Sequence, residues 1–254
     1  MANNRFHAAI NRESAHTNAH NAITEFGKLN VELPTAVNQA HDALIALETR
    51  RPQQPDANAV RELYATAATD KAINEALNAS TNHQARHNAW IQARADLGIA
   101  VMQQMLSHSN EIHAALAAIA TPIIEDITAA AKIDEPLNAL VSAGRHNEAT
   151  LTANAEINVA QLQHLYDLRD RYLTPPSAAT SAGHYDGSVW ANPSVVHGKA
   201  RGETTAATWR AGIRAGGQLA FPTHTQALNT ATKAWSDYKR LNPEPKAVAS
   251  HAAF

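Results

Sequence analysis

The strongest structural pattern in the chain lies in residues 90–127, WIQARADLGIAVMQQMLSHSNEIHAALAAIATPIIEDI. Its main apolar positions, from Trp90 through Val101 and Leu116 to Ile127, follow one another mostly in steps of four, three and four. This eleven-residue repeat is close to the natural pitch of an α-helix, so the helix lies straight or coils slightly to the right. A stripe of this length must be buried against other helices or a partner. The sequence therefore predicts a helical scaffold.

The stripe predicts one long helix from about His83 to Lys132, with a kink or break near Thr121 because Pro122 removes a backbone hydrogen bond. Helices are expected up to Pro175 and Pro176, where the composition changes and glycine becomes frequent. We predict an all-α, elongated antiparallel helical bundle over residues 1–174. An irregular Gly/Pro-rich arm follows at 175–254, with a short helix at Thr204–Arg214 and a last one at Thr223–Leu241.

The bulk composition narrows the classes of function. The chain has 254 residues and a net charge of −2, and it contains no cysteine, which rules out disulfides, thiolate metal sites and cysteine nucleophiles. No run of Lys and Arg resembles a phosphate-binding stripe, so we expect no direct nucleic-acid partner. We also find no apolar stretch of about eighteen residues, and therefore expect no membrane partner.

The sequence contains no recognisable catalytic arrangement. It lacks a Gly-x-Ser-x-Gly elbow, a Gly-rich loop leading into Lys-Ser/Thr, and a His-Glu-x-x-His motif. Paired acids such as Glu125/Asp126 are interpreted as solvated groups. We therefore predict that the protein is not an enzyme, with no catalytic residues and no cofactor.

Histidine is abundant, with 14 residues in the chain. Two pairs, His16/His20 and His83/His87, are spaced one helical turn apart, which would allow two imidazoles to bind one metal ion. Their neighbours are Asn, Thr, Ser and Arg, which favours the alternative that the histidines lie on polar helix faces. The four residues are weak metal-ligand candidates, and a His-rich metal-binding bundle stays open as an alternative function.

Aromatic residues are concentrated in the otherwise irregular arm, and such residues often anchor protein interfaces. We predict an interface formed by Trp190, Trp209, Phe221, Trp235 and Tyr238. The alternative is that these side chains attach the arm to the protein's own helices. Both interpretations apply in a homo-oligomer in which the arm of one subunit packs on the helices of a neighbouring subunit.

Two resemblances bear on function. The Ala/Thr/Asn-rich composition, the excess of Arg over Lys, the absence of Cys and the helical body followed by a Gly/Pro/Trp-bearing arm resemble helical structural or assembly proteins of actinobacterial phages and prophages. Tyr166-Asp-Leu-Arg-Asp170 resembles the Tyr-x-x-x-Asp export signal of type VII secretion substrates, although the accompanying Trp-x-Gly turn is absent.

The first resemblance implies a non-enzymatic virion component that binds copies of itself or other structural proteins. Such a protein is expected in the cytoplasm during assembly and then in the virion. The second implies a secreted helical substrate, which is kept as an alternative.

Overall fold

A computed structural model describes residues 14–56, 58–66, 68–175 and 178–242. It is 72% helical, and the all-α prediction is confirmed. The described residues form ten α-helices and one two-stranded hairpin: α1 Ala15–Lys28, α2 Thr35–Glu48, α3 Ala59–Ala65, α4 Asp70–Ser107, α5 Ser109–Ala131, α6 Leu137–Ser142, α7 His146–Leu168, β1 Ser181–Ala182, β2 Tyr185–Asp186, α8 Pro193–Val196, α9 Thr205–Arg214 and α10 His224–Leu241. A π-helical turn, Arg169–Leu173, follows α7.

The described residues pack as two compact units, one containing those up to position 112 together with 171–175, the other those at 113–170 together with 178–242. This grouping follows contacts in space rather than composition along the chain. The predicted division into a body at 1–174 and an arm at 175–254 stays a prediction.

The positions of the predicted stripe are buried or half-buried, with Val101, Met105 and Leu116 inaccessible to solvent. Its helix breaks at His108, whereas α5 is continuous through Thr121 and Pro122, so the break predicted there is absent and a kink there stays a prediction. The cause of the break at His108 is the polar run Ser107–Asn110, because Ser and Asn favour helix ends. The His108 carbonyl accepts hydrogen bonds from the backbone of Glu111 and Ile112, which begins α5.

Pro122 lies within α5 and does not end it. Proline at this position removes the backbone donor to the Ala118 carbonyl, and the hydroxyl of Thr121 donates to the preceding carbonyl, that of Ala117, at 2.8 Å.

In the first unit, α4 packs against α1, α2 and α3. Helix α1 buries Ala15, Ala19, Ala22 and Phe26, which lie on one helical face. The small residues allow a close approach to Gly98 of α4, where an added Cβ would lie 2.4 Å from the backbone nitrogen of His16. Phe26 contacts Tyr172 edge to face at 6.1 Å.

Gly98 therefore gives a stability test. Gly98→Ala is expected to lower the free energy of unfolding by about 1–3 kcal/mol, because α1 and α4 must separate to admit the methyl group. Gly27→Ala is the matched control, since a Cβ at Gly27 meets nothing within 4 Å. That variant is expected to gain up to about 1 kcal/mol from helix propensity. Urea denaturation measures both values, and equal effects at the two sites would contradict the close approach.

In the second unit, the arm is attached to the helices by arginines of α9. The Nε atom of Arg214 donates to the Ala131 carbonyl at 2.8 Å, and Arg210 donates to the Ile133 carbonyl. Carbonyls after the last turn of a helix lack partners within that helix, and guanidinium groups satisfy them while complementing the helix dipole. The two arginines are one turn apart, so a single face of α9 caps the end of α5.

Both helices predicted in the arm are present, and α9 and α10 match them closely. Between the hairpin and α9, Trp190 forms one isolated bridge with Leu219, and Pro193–Val196 forms the short helix α8. Pro193 at the first position of α8 favours that helix.

Helix α5 is long and apolar enough to cross a membrane, judged by length and composition alone. The expectation that the chain holds no such stretch is therefore wrong. Core helices that are mostly buried can have the same length and composition, but only 22% of the apolar window of α5 is buried within the structure. Ile112, Leu116, Ala120 and Ile127 are among the buried residues of the helix. The absence of a membrane partner stays a prediction.

Candidate protein interaction site

The β1–β2 hairpin and α10 form a platform in the second unit. Tyr185 of the hairpin packs against Ala231 and Ala234 of α10. Gly183, with φ +59°, makes the turn and lies so close to Trp235 that a Cβ would be 2.4 Å from its Cδ2. Only glycine combines this backbone conformation with this approach. The fit holds the hairpin directly on the indole ring.

Four side chains on this platform form what we call the aromatic face: His184, His197, Trp235 and Tyr238. Trp235 and Tyr238 are three residues apart on α10, and their rings stack at 5.4 Å with an angle of 8°. The imidazole of His184 stands edge-on to both, at 4.9 Å and 4.8 Å. His197, just after α8, lies 4.3 Å from His184. Edge-to-face and offset-stacked contacts of this kind hold rings in defined positions.

The aromatic face is accessible to a partner. His184 and His197 are exposed, Trp235 is half-buried, and Tyr238 is 39% exposed. Leu241, one turn beyond Tyr238, is 75% exposed and extends the surface. The ammonium group of Lys239 lies 5.0 Å from the centre of the Trp235 ring. Aromatic rings that are already ordered and accessible lose little conformational entropy on binding.

The other three predicted interface residues lie mostly inside the second unit. Trp190 is 9% exposed and fills space left by Gly212 and Gly217. Trp209 is 5% exposed and meets the Tyr166 ring edge-on at 5.8 Å. Phe221 is half-buried and stacks on Tyr166 at 5.3 Å. These contacts attach the arm to the protein's own helices. The structure brings Trp235 and Tyr238 together at the surface and leaves Trp190 and Trp209 in the core.

His113 of α5 stacks on the other side of this buried group, 5.2 Å from Phe221. Burial lowers the pKa of His113 below its ordinary value of 6.5, and the nearby charge of Arg169 lowers it further. Hydrogen bonds with the backbone of Pro222 and Phe221 oppose the shift. The imidazole is therefore held neutral against the arm.

This shift predicts that acid destabilises the second unit. Because the unfolded chain binds the proton more readily, stability is complete above about pH 6.5 and falls as the pH drops below it. A one-proton difference contributes at most about 1.4 kcal/mol per pH unit. His113→Gln is expected to flatten the dependence of unfolding free energy between pH 7 and pH 5.5. The exposed control His146→Gln should leave the slope unchanged, and an equal slope in all three proteins would refute the role of His113.

In the structure, both histidines of the first candidate pair, His16/His20, form hydrogen bonds with other side chains. Both ring nitrogens of His20 are used, with Nδ1 2.9 Å from His41 Nε2 and Nε2 donating to Glu48 at 2.9 Å. The Nε2 atom of His16 lies 3.1 Å from the Thr17 hydroxyl. Burial lowers the pKa of His16 and of His41 below the ordinary value. His20 of α1 therefore forms a hydrogen-bonded link to His41 and Glu48 of α2.

The second pair, His83 and His87, stacks ring on ring at 5.7 Å, with His87 stacking in turn on Trp90 at 5.9 Å. Parallel imidazoles do not direct their nitrogens to a common point. Within the described ranges, no group of three or more His, Asp or Glu side chains is arranged to hold a metal ion.

The residues that resemble an export signal have structural contacts. Tyr166 is 2% exposed, and its hydroxyl donates to the Ala220 carbonyl at 2.7 Å. Burial raises the pKa of the Tyr166 hydroxyl. Asp170 pairs with Arg169 at 2.8 Å. The folded chain therefore does not display Tyr166, and the secretion alternative stays an untested prediction.

Sequence reasoning did not identify His184 and His197 as members of the aromatic face. They lie about 40 to 50 residues before Trp235 and Tyr238, and only the packing of the hairpin and α8 on α10 brings them together. The one sequence pattern that points to these residues is Gly183-His184-Tyr185, in which a glycine suited to a turn precedes two ring side chains in an arm rich in aromatic residues.

No protein-family model, curated protein or solved structure matches this chain.

Proposed function

We propose that this protein is a non-enzymatic structural or assembly protein that acts through protein–protein contacts. The supporting observation is the aromatic face, in which Trp235 and Tyr238 are ordered by His184 and remain accessible. Aromatic anchors of this kind carry much of the binding energy in interfaces. The expected partner is a second copy of the chain, another structural protein, or both.

The resemblance in composition supports a more specific proposal, that the protein is a virion component of a phage or prophage. It would then assemble in the cytoplasm before incorporation into the virion. The exposed apolar residues of α6 and α7, namely Leu137, Val141 and Ile157, give the second unit further surface for neighbouring subunits. Repeated subunit contacts require several such surfaces on one chain.

The double substitution Trp235→Ala/Tyr238→Ala tests the proposal. Loss of two aromatic anchors is expected to weaken self-association at least tenfold, because a hot-spot residue contributes about 2 kcal/mol or more. Sedimentation equilibrium measures the dissociation constant, and circular dichroism verifies the fold.

Tyr64→Ala is the matched control, since Tyr64 is 64% exposed on α3 of the first unit and is not part of the aromatic face. It is expected to associate as the unaltered protein does. Equal weakening in the control and the double variant, or no weakening in either, would refute the role of the aromatic face.

A further inference from the structure

A polar groove runs along α4 in the first unit, opposite the loop that follows α2. Its walls are residues 50–56 of the loop and the first half of α4, from Ala76 to His87. This part of α4 is about 16 Å long at 1.5 Å per residue. Three arginines and two histidines line the groove: Arg50, Arg51, His83, Arg86 and His87.

The groove has a fixed base. The indole N–H of Trp90 donates to the Leu47 carbonyl at 3.0 Å, which holds the end of α2 on α4. The guanidinium of Arg51 lies 5.7 Å from the centre of the Trp90 ring, within cation–π range. Pro52 and Pro55 restrict the backbone of the loop. The loop arginines are therefore held beside the histidine stack of α4.

The positive charge of the groove is not neutralised within the described part of the chain. Arg50, Arg51 and Arg86 are exposed, and no acidic side chain there forms an ion pair with them. The sole acid of the described lining is Asp56, whose carboxylate accepts a hydrogen bond from the backbone of Asn58. The Nδ1 atom of His87 is shielded from solvent without a hydrogen-bond partner in the described residues. The groove therefore offers a surplus of donors and of positive charge.

We propose that this groove binds a linear ligand that carries several phosphate groups. Guanidinium forks match phosphate oxygens in geometry, and Gln53, Gln54 and Gln84 add neutral donors between the charges. The groove is too long for a single phosphate and suits phosphates in series. The wall between the arginines combines amide and hydroxyl groups with the apolar side chains of Pro52, Pro55 and Ala79. An acidic peptide is therefore the competing ligand, and polyglutamate represents it in the test.

The ligand is either free polyphosphate or the backbone of a single nucleic-acid strand. No sign of such a site is visible in the sequence, because Arg50 and Arg51 are separated from Arg86 by the whole of α3 and the start of α4. The charges converge only when the loop packs beside α4, so no basic run exists in the sequence.

The test measures binding to the full-length chain at low ionic strength. Fluorescence polarisation with a labelled oligothymidylate gives the dissociation constant, and inorganic tripolyphosphate serves as competitor. Arg50→Gln/Arg51→Gln/Arg86→Gln is expected to weaken binding at least tenfold. Lys199→Gln/Arg201→Gln/Lys233→Gln removes the same charge from exposed positions elsewhere and is expected to stay within twofold. The single variant Arg86→Gln, expected to weaken binding measurably, covers the case in which the triple variant fails to fold.

Salt dependence gives a second readout. Three phosphate contacts predict a slope of about −2 for log K against log salt with single strands, and the groove variant should flatten it. If tripolyphosphate is a poor competitor of oligothymidylate, the ligand is a nucleic-acid strand. If tripolyphosphate competes with an affinity equal to that of oligothymidylate, the ligand is free polyphosphate. Three results would overturn the proposal. They are an equal loss of binding in both triple variants, displacement of oligothymidylate by polyglutamate as effectively as by tripolyphosphate, and no binding of oligothymidylate to the unaltered protein.

Discussion

Leu116→Asp is expected to abolish the cooperative unfolding of the second unit. Leu116 is completely buried in α5, at the centre of the stripe that predicts the fold. Removal of a buried leucine side chain alone costs about 2–5 kcal/mol, and burial of an unpaired carboxyl group adds a further penalty. The total is comparable with the stability of an ordinary domain, about 5–15 kcal/mol. Near-ultraviolet circular dichroism and thermal melting measure the loss.

The control for this variant is Ala118→Asp, which introduces the same charge two residues away on an exposed side of the same helix. It is expected to change the melting temperature by no more than a few degrees, because surface substitutions are usually within about 0.5 kcal/mol. An unchanged transition in Leu116→Asp would contradict the burial of the stripe.

Arg169→Met is expected to cost about 3–5 kcal/mol, because it leaves buried acceptors without their donor. Arg169 is 2% exposed, and its Nη1 donates to the carbonyls of Ser188 at 2.9 Å and Pro222 at 3.1 Å. Its guanidinium also lies 4.8 Å from the centre of the Tyr166 ring. A single side chain at the end of α7 therefore fixes two segments of the arm.

The variant Arg169→Lys distinguishes the contribution of the positive charge from the contribution of the planar guanidinium group. Lysine keeps the charge but lacks the planar fork that reaches two carbonyls and Asp170 together, so it is expected to recover only a small part of the loss. Arg171→Met, an exposed position over Tyr172, is the control and should lie within about 1 kcal/mol of the unaltered protein. Chemical denaturation, followed by tryptophan fluorescence, measures the free energy of unfolding of both variants. Full recovery by lysine would show that the carbonyl hydrogen bonds contribute little.

The helices of this protein are predictable because periodicity is a local property. Helices α9 and α10 could be placed within a residue or two, since threonine caps and glycine or asparagine ends mark them. The break at His108 was missed because proline at position 122 is the stronger local signal. The structure shows that α5 nevertheless continues through Pro122.

The candidate site was less predictable, because it depends on contacts between distant residues. Aromatic composition identified Trp190 and Trp235 equally well, although one fills a space beside Gly212 and the other stands at the surface. Their different environments follow from the packing of the arm. In the same way, the helical spacing of His16 and His20 does not reveal that His20 is directed to His41 and Glu48 on α2.

The central claim is that the protein assembles with copies of itself or with other structural proteins. Size-exclusion chromatography with multi-angle light scattering, over a hundredfold range of protein concentration, tests it most directly. The expected molar mass is a multiple of the 27.3 kDa mass of one chain. In Trp235→Ala/Tyr238→Ala, the molar mass is expected to fall toward that of a single chain. A constant mass of one chain at every concentration would contradict self-assembly.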